Sequence, residues 1–285
     1  LNGNAASDTG LGASINERIA KAERLNNVYV ENPIYFGQQG ENHFVQNQTF
    51  IGIPMHDEDV AFQVINDYRF ARAPVVGQSE INSVQLGVEW KPSEFTSVYA
   101  RAGTFGIFNV GVQHQDDKLT AGVAITRDIV NYTPLGIADR LSYIGGNGNV
   151  AYQFNDFFSL GGAFSAYEYG DDIFEYTYNI GPRFTPVNKP NDFIWAIGYN
   201  HGGVFNQREA NPLYRFGPTN FQVDSFGTDI EHWLSKDFRY RLGYYRSLSN
   251  AAINGNTFLA GFDWQLSEVS YIWLNGEYGN FLAGR

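Results

Sequence analysis

The chain has 285 residues, 16% of them aromatic, with a formal net charge of −11 and no cysteine. The lack of cysteine excludes a disulfide scaffold, a thiolate metal site and a cysteine nucleophile. The acidic balance argues against a nucleic-acid partner, because phosphate binding needs a basic surface. No run of about eighteen apolar residues occurs, which excludes a helical membrane protein but not a membrane β-barrel, whose apolar residues alternate with polar ones.

Residues 1–25 differ in composition from the rest of the chain. Asn, Gly, Ser and Ala dominate up to residue 14, and then Ile15, Ile19, Ala22 and Leu25 recur at helical spacing. We predict a linker with one short helix here, the remnant of a junction to an upstream domain. A plug or a periplasmic latch is the alternative.

From residue 26 to residue 285, alternating apolar and polar segments follow one another between polar turns. They predict strands at 26–36, 43–54, 60–72, 82–91, 96–103, 108–115, 119–131, 146–154, 157–168, 174–184, 192–202, 220–234, 238–248, 257–266 and 270–280. Short turns such as 155–156 alternate with longer loops such as 132–145 and 203–219, a parity typical of outer-membrane barrels.

These features predict an all-β fold, a transmembrane antiparallel up-and-down β-barrel over 26–285 in the bacterial outer membrane. Fifteen strands are visible in the sequence. Bacterial single-chain barrels use an even number of strands, so we predict sixteen.

The strands separate an apolar phase from a polar one. In 84–91, Val84, Leu86, Val88 and Trp90 alternate with polar residues and glycine. Successive side chains point to opposite faces of a strand, so one face can meet lipid and the other water. A barrel of about fourteen to eighteen strands is wide enough for an aqueous channel. The alternative is that the aromatic residues cap the core of a soluble protein.

Acidic residues and tyrosines on the polar phase are the candidate functional residues. The acids are Asp67, Glu89, Asp128, Glu175, Asp224 and Asp263, each on a different strand. Arginines share this phase, so the sequence leaves open a mutually paired wall or a net acidic conduit, and the overall charge favours the conduit, which would select cations. Tyr99, Tyr167 and Tyr245 share the phase and offer rings on which sugars can stack, or they serve only the wall.

Enzyme and metal chemistry have little support in the sequence. No pair of the five histidines has metal-ligand spacing, and neither a phosphate-binding glycine loop nor a Gly-x-Ser-x-Gly elbow occurs. We therefore predict no catalytic residue, no metal and no cofactor. An outer-membrane lipid or sugar hydrolase is the less favoured alternative, because a triad can assemble from distant positions.

Two stretches resemble a known family. Residues 133–162 contain a Pro-Leu before a long loop and an Asn-Asp turn, and residues 211–218 read Asn-Pro-Leu-Tyr-Arg-Phe-Gly-Pro before a strand pair that includes Trp233. Together they resemble exopolysaccharide-export porins, the outer-membrane barrels fused to tetratricopeptide-repeat scaffolds that secrete poly-N-acetylglucosamine, Pel or cellulose.

The resemblance implies a sixteen-stranded pore that passes a polysaccharide through the outer membrane. Its partners would be the polymer, outer-membrane lipid, a periplasmic repeat scaffold or upstream domain, and an inner-membrane synthase complex. Taken with the family, the acidic balance favours a cationic, partly deacetylated amino-sugar polymer. A general or nutrient-uptake porin shares the compositional features and is the alternative function.

Overall fold

A computed structural model gives the structure of the chain. It describes residues 28–39, 42–55, 59–74, 76–130, 133–206, 220–250, 253–267 and 270–283. The helix predicted within residues 1–25 lies outside these ranges. Within them, no helix is long and apolar enough to cross a membrane.

The chain forms one antiparallel sheet in which the strands follow one another in chain order. The strands are β1 (Tyr29–Glu31), β2 (Ile34–Gln39), β3 (Asn42–Pro54), β4 (Val60–Ala73), β5 (Gly77–Ser93), β6 (Thr96–Gly103), β7 (Phe108–Gln115), β8 (Leu119–Ile129), β9 (Ser142–Asn155), β10 (Phe158–Tyr169), β11 (Phe174–Lys189), β12 (Phe193–Asn206), β13 (Phe221–Ser235), β14 (Phe238–Ser249), β15 (Ile253–Ser267) and β16 (Ser270–Ala283). The predicted all-β, antiparallel up-and-down fold is confirmed.

The first strand position is split in two. β1 pairs with one end of β3 and β2 with the other, and the break between them contains Pro33, which has no N–H for a ladder bond. The Pro33 carbonyl still accepts a hydrogen bond from the Gln48 N–H of β3, at 3.0 Å. β1 and β2 are therefore two parts of one interrupted strand.

In the described ranges, sixteen strand segments thus occupy fifteen positions in the sheet, and not the sixteen positions that we predicted. Because neighbouring strands alternate in direction, the first and last positions run the same way. No ladder joins these two positions within the part of the chain that the structure describes.

The two ends of the strands carry connections of different length. One end has short turns, for example 94–95, 156–157 and 236–237, and we call it the turn rim. The other end has the longest connections, 130–141 and 207–220, and we call it the loop rim. The two longest predicted loops lie at one rim, as predicted, but other connections at that rim, such as 74–76 and 250–252, are as short as the turns.

A short helix, α1 (Pro134–Ala138), lies in the connection between β8 and β9, a segment that the sequence predicted only as loop. Thr133 caps it, because its side-chain oxygen accepts a hydrogen bond from the Gly136 N–H at 3.0 Å. Proline at the first helical position has a suitable φ and lacks a donor that would be unpaired there. Ile137 packs with Ala71 of β4 and other buried side chains, so α1 is fixed against the sheet at the loop rim.

Candidate functional site

Burial separates two faces of the sheet. On β5, Leu86 and Val88 are 52% and 43% exposed. Ser83 and Gln85, which belong to the alternate phase of the strand, are 1% and 7% exposed. β4 and β8 show the same alternation. The polar phase is therefore the sheltered interior face and the apolar phase the exterior face, as the sequence predicts.

Eight of the nine predicted site residues lie on the interior face. They are Asp67, Glu89, Asp128, Glu175, Asp263, Tyr99, Tyr167 and Tyr245.

Asp224 is the exception, and its placement in the lumen was wrong. It lies opposite Leu248 and two residues from Phe226, and both of these apolar side chains are exposed on the exterior face. The prediction failed because Gln222 and Ser225 make both phases of this part of β13 polar, so the alternation does not identify the interior side.

The first interior ion-pair cluster joins β4 to β8 near the loop rim. The Arg69 guanidinium donates to Asp67 Oδ2 at 2.8 Å and to Asp128 Oδ1 at 2.8 Å. It also donates to the Ile129 carbonyl at 2.9 Å, and its side chain is 3% exposed. Two carboxylates share one arginine here, so the cluster keeps one net negative charge.

The second cluster lies near the turn rim on β13, β14 and β15. Arg239 contacts Asp263 at 2.7 Å and Glu231 at 3.2 Å, and Arg241 contacts Asp263 at 3.4 Å. Among the side chains that the structure describes, this cluster brings two acids and two arginines together. Charges of opposite sign at this distance stabilise each other far more in a sheltered site than in water.

The third cluster lies midway along the strands. Arg183 of β11 donates to both carboxylate oxygens of Asp229, at 2.8 and 2.6 Å, and the Tyr245 hydroxyl donates to Asp229 Oδ1 at 2.8 Å. The sequence analysis named neither Asp229 nor Glu231, because it assigned Asp224, which lies on the other phase of β13, to the interior.

The other two predicted acids accept hydrogen bonds from uncharged groups. Glu89 accepts from the Gln63 side-chain amide at 2.8 Å, and the oxygen of that amide accepts from Arg101 at 2.9 Å. Glu175 accepts from the Tyr169 hydroxyl at 3.2 Å. Between the paired wall and the acidic conduit, the structure shows pairing at Asp67, Asp128 and Asp263, while the polymer-binding role of these acids stays a prediction.

The three predicted tyrosines and one further interior tyrosine, Tyr29, each stand directly opposite a glycine on the neighbouring strand. A Cβ placed on Gly111 would lie 2.6 Å from the Tyr99 hydroxyl, and one on Gly145 would lie 2.7 Å from a Tyr167 ring carbon. Real Cβ atoms do not approach so closely, so each ring occupies the space that a side chain would take. The pairs are Tyr29–Gly52, Tyr99–Gly111, Tyr167–Gly145 and Tyr245–Gly227.

The glycines let these rings lie against the wall of the interior. Two of the rings have polar partners: Asn147 donates to the Tyr167 hydroxyl at 2.9 Å, and the Arg101 guanidinium lies over the face of the Tyr99 ring, 4.9 Å from its centre. A flat ring beside hydrogen-bonding groups is a surface on which a sugar can stack and bind through its hydroxyls. Tyr29 was missed because only the register shows that it faces a glycine.

Within the described ranges, no three His, Asp or Glu side chains are placed to hold a metal ion.

No protein-family model matches the chain. No curated protein matches it either.

Several solved structures are similar to it. One is described as a bacterial polysaccharide outer membrane secretin, with 12% identity, a TM-score of 0.61, and coverage of 84% of this chain and 88% of that one. Another is OmpT, an outer membrane protein of Vibrio cholerae, with 7% identity, a TM-score of 0.44 and coverage of 88% and 93%. A third is the CymD monoaromatic hydrocarbon channel, with 11% identity, a TM-score of 0.41 and coverage of 96% and 88%.

The match at a TM-score of 0.61 shows a shared fold, that of bacterial outer-membrane β-barrels. With its apolar exterior and sheltered polar interior, the protein is an outer-membrane β-barrel protein. In such proteins the short turns face the periplasm and the longer loops face outward, which orients the turn rim and the loop rim.

Proposed function

We propose that the protein is a channel that exports a polysaccharide through the outer membrane. The observation that carries this proposal is the set of interior tyrosines that lie flat on glycines of the adjacent strand, at Tyr29, Tyr99, Tyr167 and Tyr245. Flat rings distributed over several strands offer many weak stacking sites, and conduction needs sites that a polymer can leave. The shared fold with a structure described as a polysaccharide secretin supports the same class.

We further propose that the polymer is a cationic, partly deacetylated amino sugar. Asp67 and Asp128 share Arg69, so this cluster keeps a negative charge at the loop rim. Glu89 adds a further carboxylate on the interior face, bridged through the Gln63 amide to Arg101. An ammonium group is attracted to both places, and the existing partners of these carboxylates keep the attraction weak enough for release.

Under this proposal a periplasmic repeat scaffold and an inner-membrane synthase deliver the polymer at the turn rim. The competing function is a general or nutrient-uptake porin, which also has a polar interior. The two differ in how a sugar chain behaves inside the channel, because an uptake porin has no need of stacking sites that hold a polymer.

Single-channel recording in a planar bilayer tests the proposal. We expect short chitosan oligomers, which are cationic, to block the current for longer than cello-oligosaccharides of equal length. Combined Tyr99→Ala, Tyr167→Ala and Tyr245→Ala substitutions should shorten both kinds of block. The matched control is Tyr152→Ala, because Tyr152 is an exterior tyrosine.

The outcomes separate the parts of the proposal. Equal block by cationic and neutral oligomers would refute the charge preference and keep the polysaccharide channel. Block by neither, in a channel that conducts salt, would refute polysaccharide export and favour the uptake porin.

A further inference from the structure

The exterior face carries a polar cluster on β11, β12 and β13, toward the loop rim. Asp224 Oδ1 accepts from the Tyr199 hydroxyl at 2.6 Å and lies 2.9 Å from His201 Nδ1. His201 Nε2 lies 3.2 Å from the Tyr178 hydroxyl, and the Gln222 amide donates to that hydroxyl at 3.4 Å. These five side chains form one connected network on the apolar phase of the sheet.

A row of aromatic rings borders this network. The ring of Phe205 stacks on Tyr176, with centroids 4.9 Å apart and planes 14° apart, and also lies nearly parallel to Tyr178, with centroids 6.1 Å apart and planes 7° apart. Tyr176 is 45% exposed, so the row is open to the surroundings. Gly203 opposite Tyr178 leaves room for its ring, because a Cβ there would lie 3.1 Å from a ring carbon.

The position of the network shows what surrounds it. His201 and Asp224 are 34% and 45% exposed on the face that carries Ile180 and Phe226, the lipid-facing residues of the same strands. An ionisable group is costly against hydrocarbon, whereas amphipathic rings and polar groups are favoured at the membrane boundary. Both preferences favour a position of the network level with the head groups of the outer leaflet.

We propose that this surface binds the sugar head group of an outer-leaflet glycolipid. A carboxylate accepts hydrogen bonds from sugar hydroxyls, His201 and Gln222 can donate or accept them, and the ring row gives a flat face for stacking. Asp224 carries a negative charge, and within the described part of the chain the hydrogen bonds of the network involve no arginine or lysine, so a phosphate is poorly suited to it. The proposal depends on the outer-membrane fold and not on the transported substrate.

The test uses the full chain in lipid nanodiscs made of phosphatidylethanolamine, with and without lipopolysaccharide, and native mass spectrometry to count bound glycolipid. We expect retention of glycolipid by the unmodified chain. The combined variant Asp224→Ala and Tyr178→Phe should lose about tenfold in retention, the effect of a hydrogen bond to a charged group. The control is Tyr68→Phe, because the Tyr68 hydroxyl donates to Glu80 at 2.8 Å on the exterior of β4 and β5 without histidine or stacked rings.

Three results would overturn the proposal. The first is equal retention by the variant and the unmodified chain, with the heat-modifiable gel migration of a folded barrel in both. The second is retention of lipopolysaccharide but not of the same glycolipid after removal of its phosphates, which would assign a phosphate site. The third is an effect on the mass of a protein dimer instead of bound lipid, which would make the surface an interface between copies. The single variant Tyr178→Phe gives the same readouts with a smaller change if the combined variant does not fold.

Discussion

Arg69 of β4 and Asp128 of β8 form a two-pronged ion pair, with Nη1–Oδ1 and Nη2–Oδ2 distances of 2.8 and 2.9 Å, although they are 59 residues apart. The strands between them include the shortest hairpin of the barrel, β6–β7, whose members have 8 residues each. The pair thus joins β4 to β8 across β5 and this short hairpin. α1 contacts the tip of that hairpin through Ile107 and lies at the same level.

Replacing Arg69 with Met should strongly destabilise the barrel. Removal of one partner from a buried charge cluster typically costs about 3–5 kcal/mol, because the remaining charges lose their compensation, and Asp67 is 0% exposed. The measurement is the free energy of unfolding in urea, in detergent micelles or lipid vesicles.

The control for this variant is Arg246→Met. Arg246 donates to Asn256 at 2.9 Å, an uncharged partner, so its loss should cost less than about 1 kcal/mol. Equal destabilisation by the two variants would contradict a special role for the Arg69 cluster.

Acid should weaken the β7–β8 turn through Asp116. Hydrogen bonds from the backbone N–H groups of Leu119 and Lys118, and the contact with His114, lower the pKa of this carboxyl below its usual 3.8. A group with a lowered pKa stabilises the fold above its ordinary pKa, and this stabilisation is lost as the pH falls through the folded-state value.

The measurement is the urea midpoint of the unmodified chain and of Asp116→Asn between pH 7 and pH 2. We expect the unmodified chain to be the more stable at pH 7 and the difference to shrink as the pH falls below about 4. Parallel profiles over the whole range would show that the Asp116 hydrogen bonds do not contribute.

Ile137 should hold α1 in place. Its side chain is 2% exposed among Ala71, Ile81, Ile107 and Ile129. Truncation of a buried Ile to Ala costs about 2–5 kcal/mol, and here the loss falls on a loop that can open by itself. We expect Ile137→Ala to expose the bond after Arg140 to trypsin in the folded barrel.

Leu135→Ala is the comparison, because Leu135 lies on the same helix but is only partly buried. In the Leu135→Ala variant, trypsin should cleave the bond after Arg140 more slowly than in Ile137→Ala. Resistance of both variants would mean that Thr133 capping and the loop backbone are enough to fix α1.

The sequence predicted the strands because alternation is local. Val84, Leu86 and Val88 define an exterior face within five residues, and the structure confirms this face. α1 was missed because it is only five residues long and its Ile137 finds partners far away in the chain. A helix of that length is stabilised by tertiary packing and not by its own periodicity.

The site was predicted in part for the same reason. The alternation of polar and apolar residues placed Asp67 and Tyr167 on the interior face. That alternation could not show that Arg69 compensates two acids or that Tyr167 lies on Gly145. Those relations depend on strand register. Asp224 was misplaced because β13 is polar on both phases near the loop rim.

Gly145 and Gly146 are neighbours that test the role of the interior tyrosines. A Cβ on Gly145 would collide with the Ala166 carbonyl and the Tyr167 ring, whereas a Cβ on Gly146 meets only the Ala124 carbonyl, at an ordinary 3.5 Å. Gly145→Ala should therefore cost about 1–3 kcal/mol and tilt Tyr167 away from the wall, while Gly146→Ala should be nearly neutral. In single-channel recordings, we expect shorter oligosaccharide block in Gly145→Ala and unchanged block in Gly146→Ala. If Gly145→Ala is destabilised but the block keeps its length, Tyr167 serves only the wall, and stacking in the lumen must be sought at Tyr99 and Tyr245.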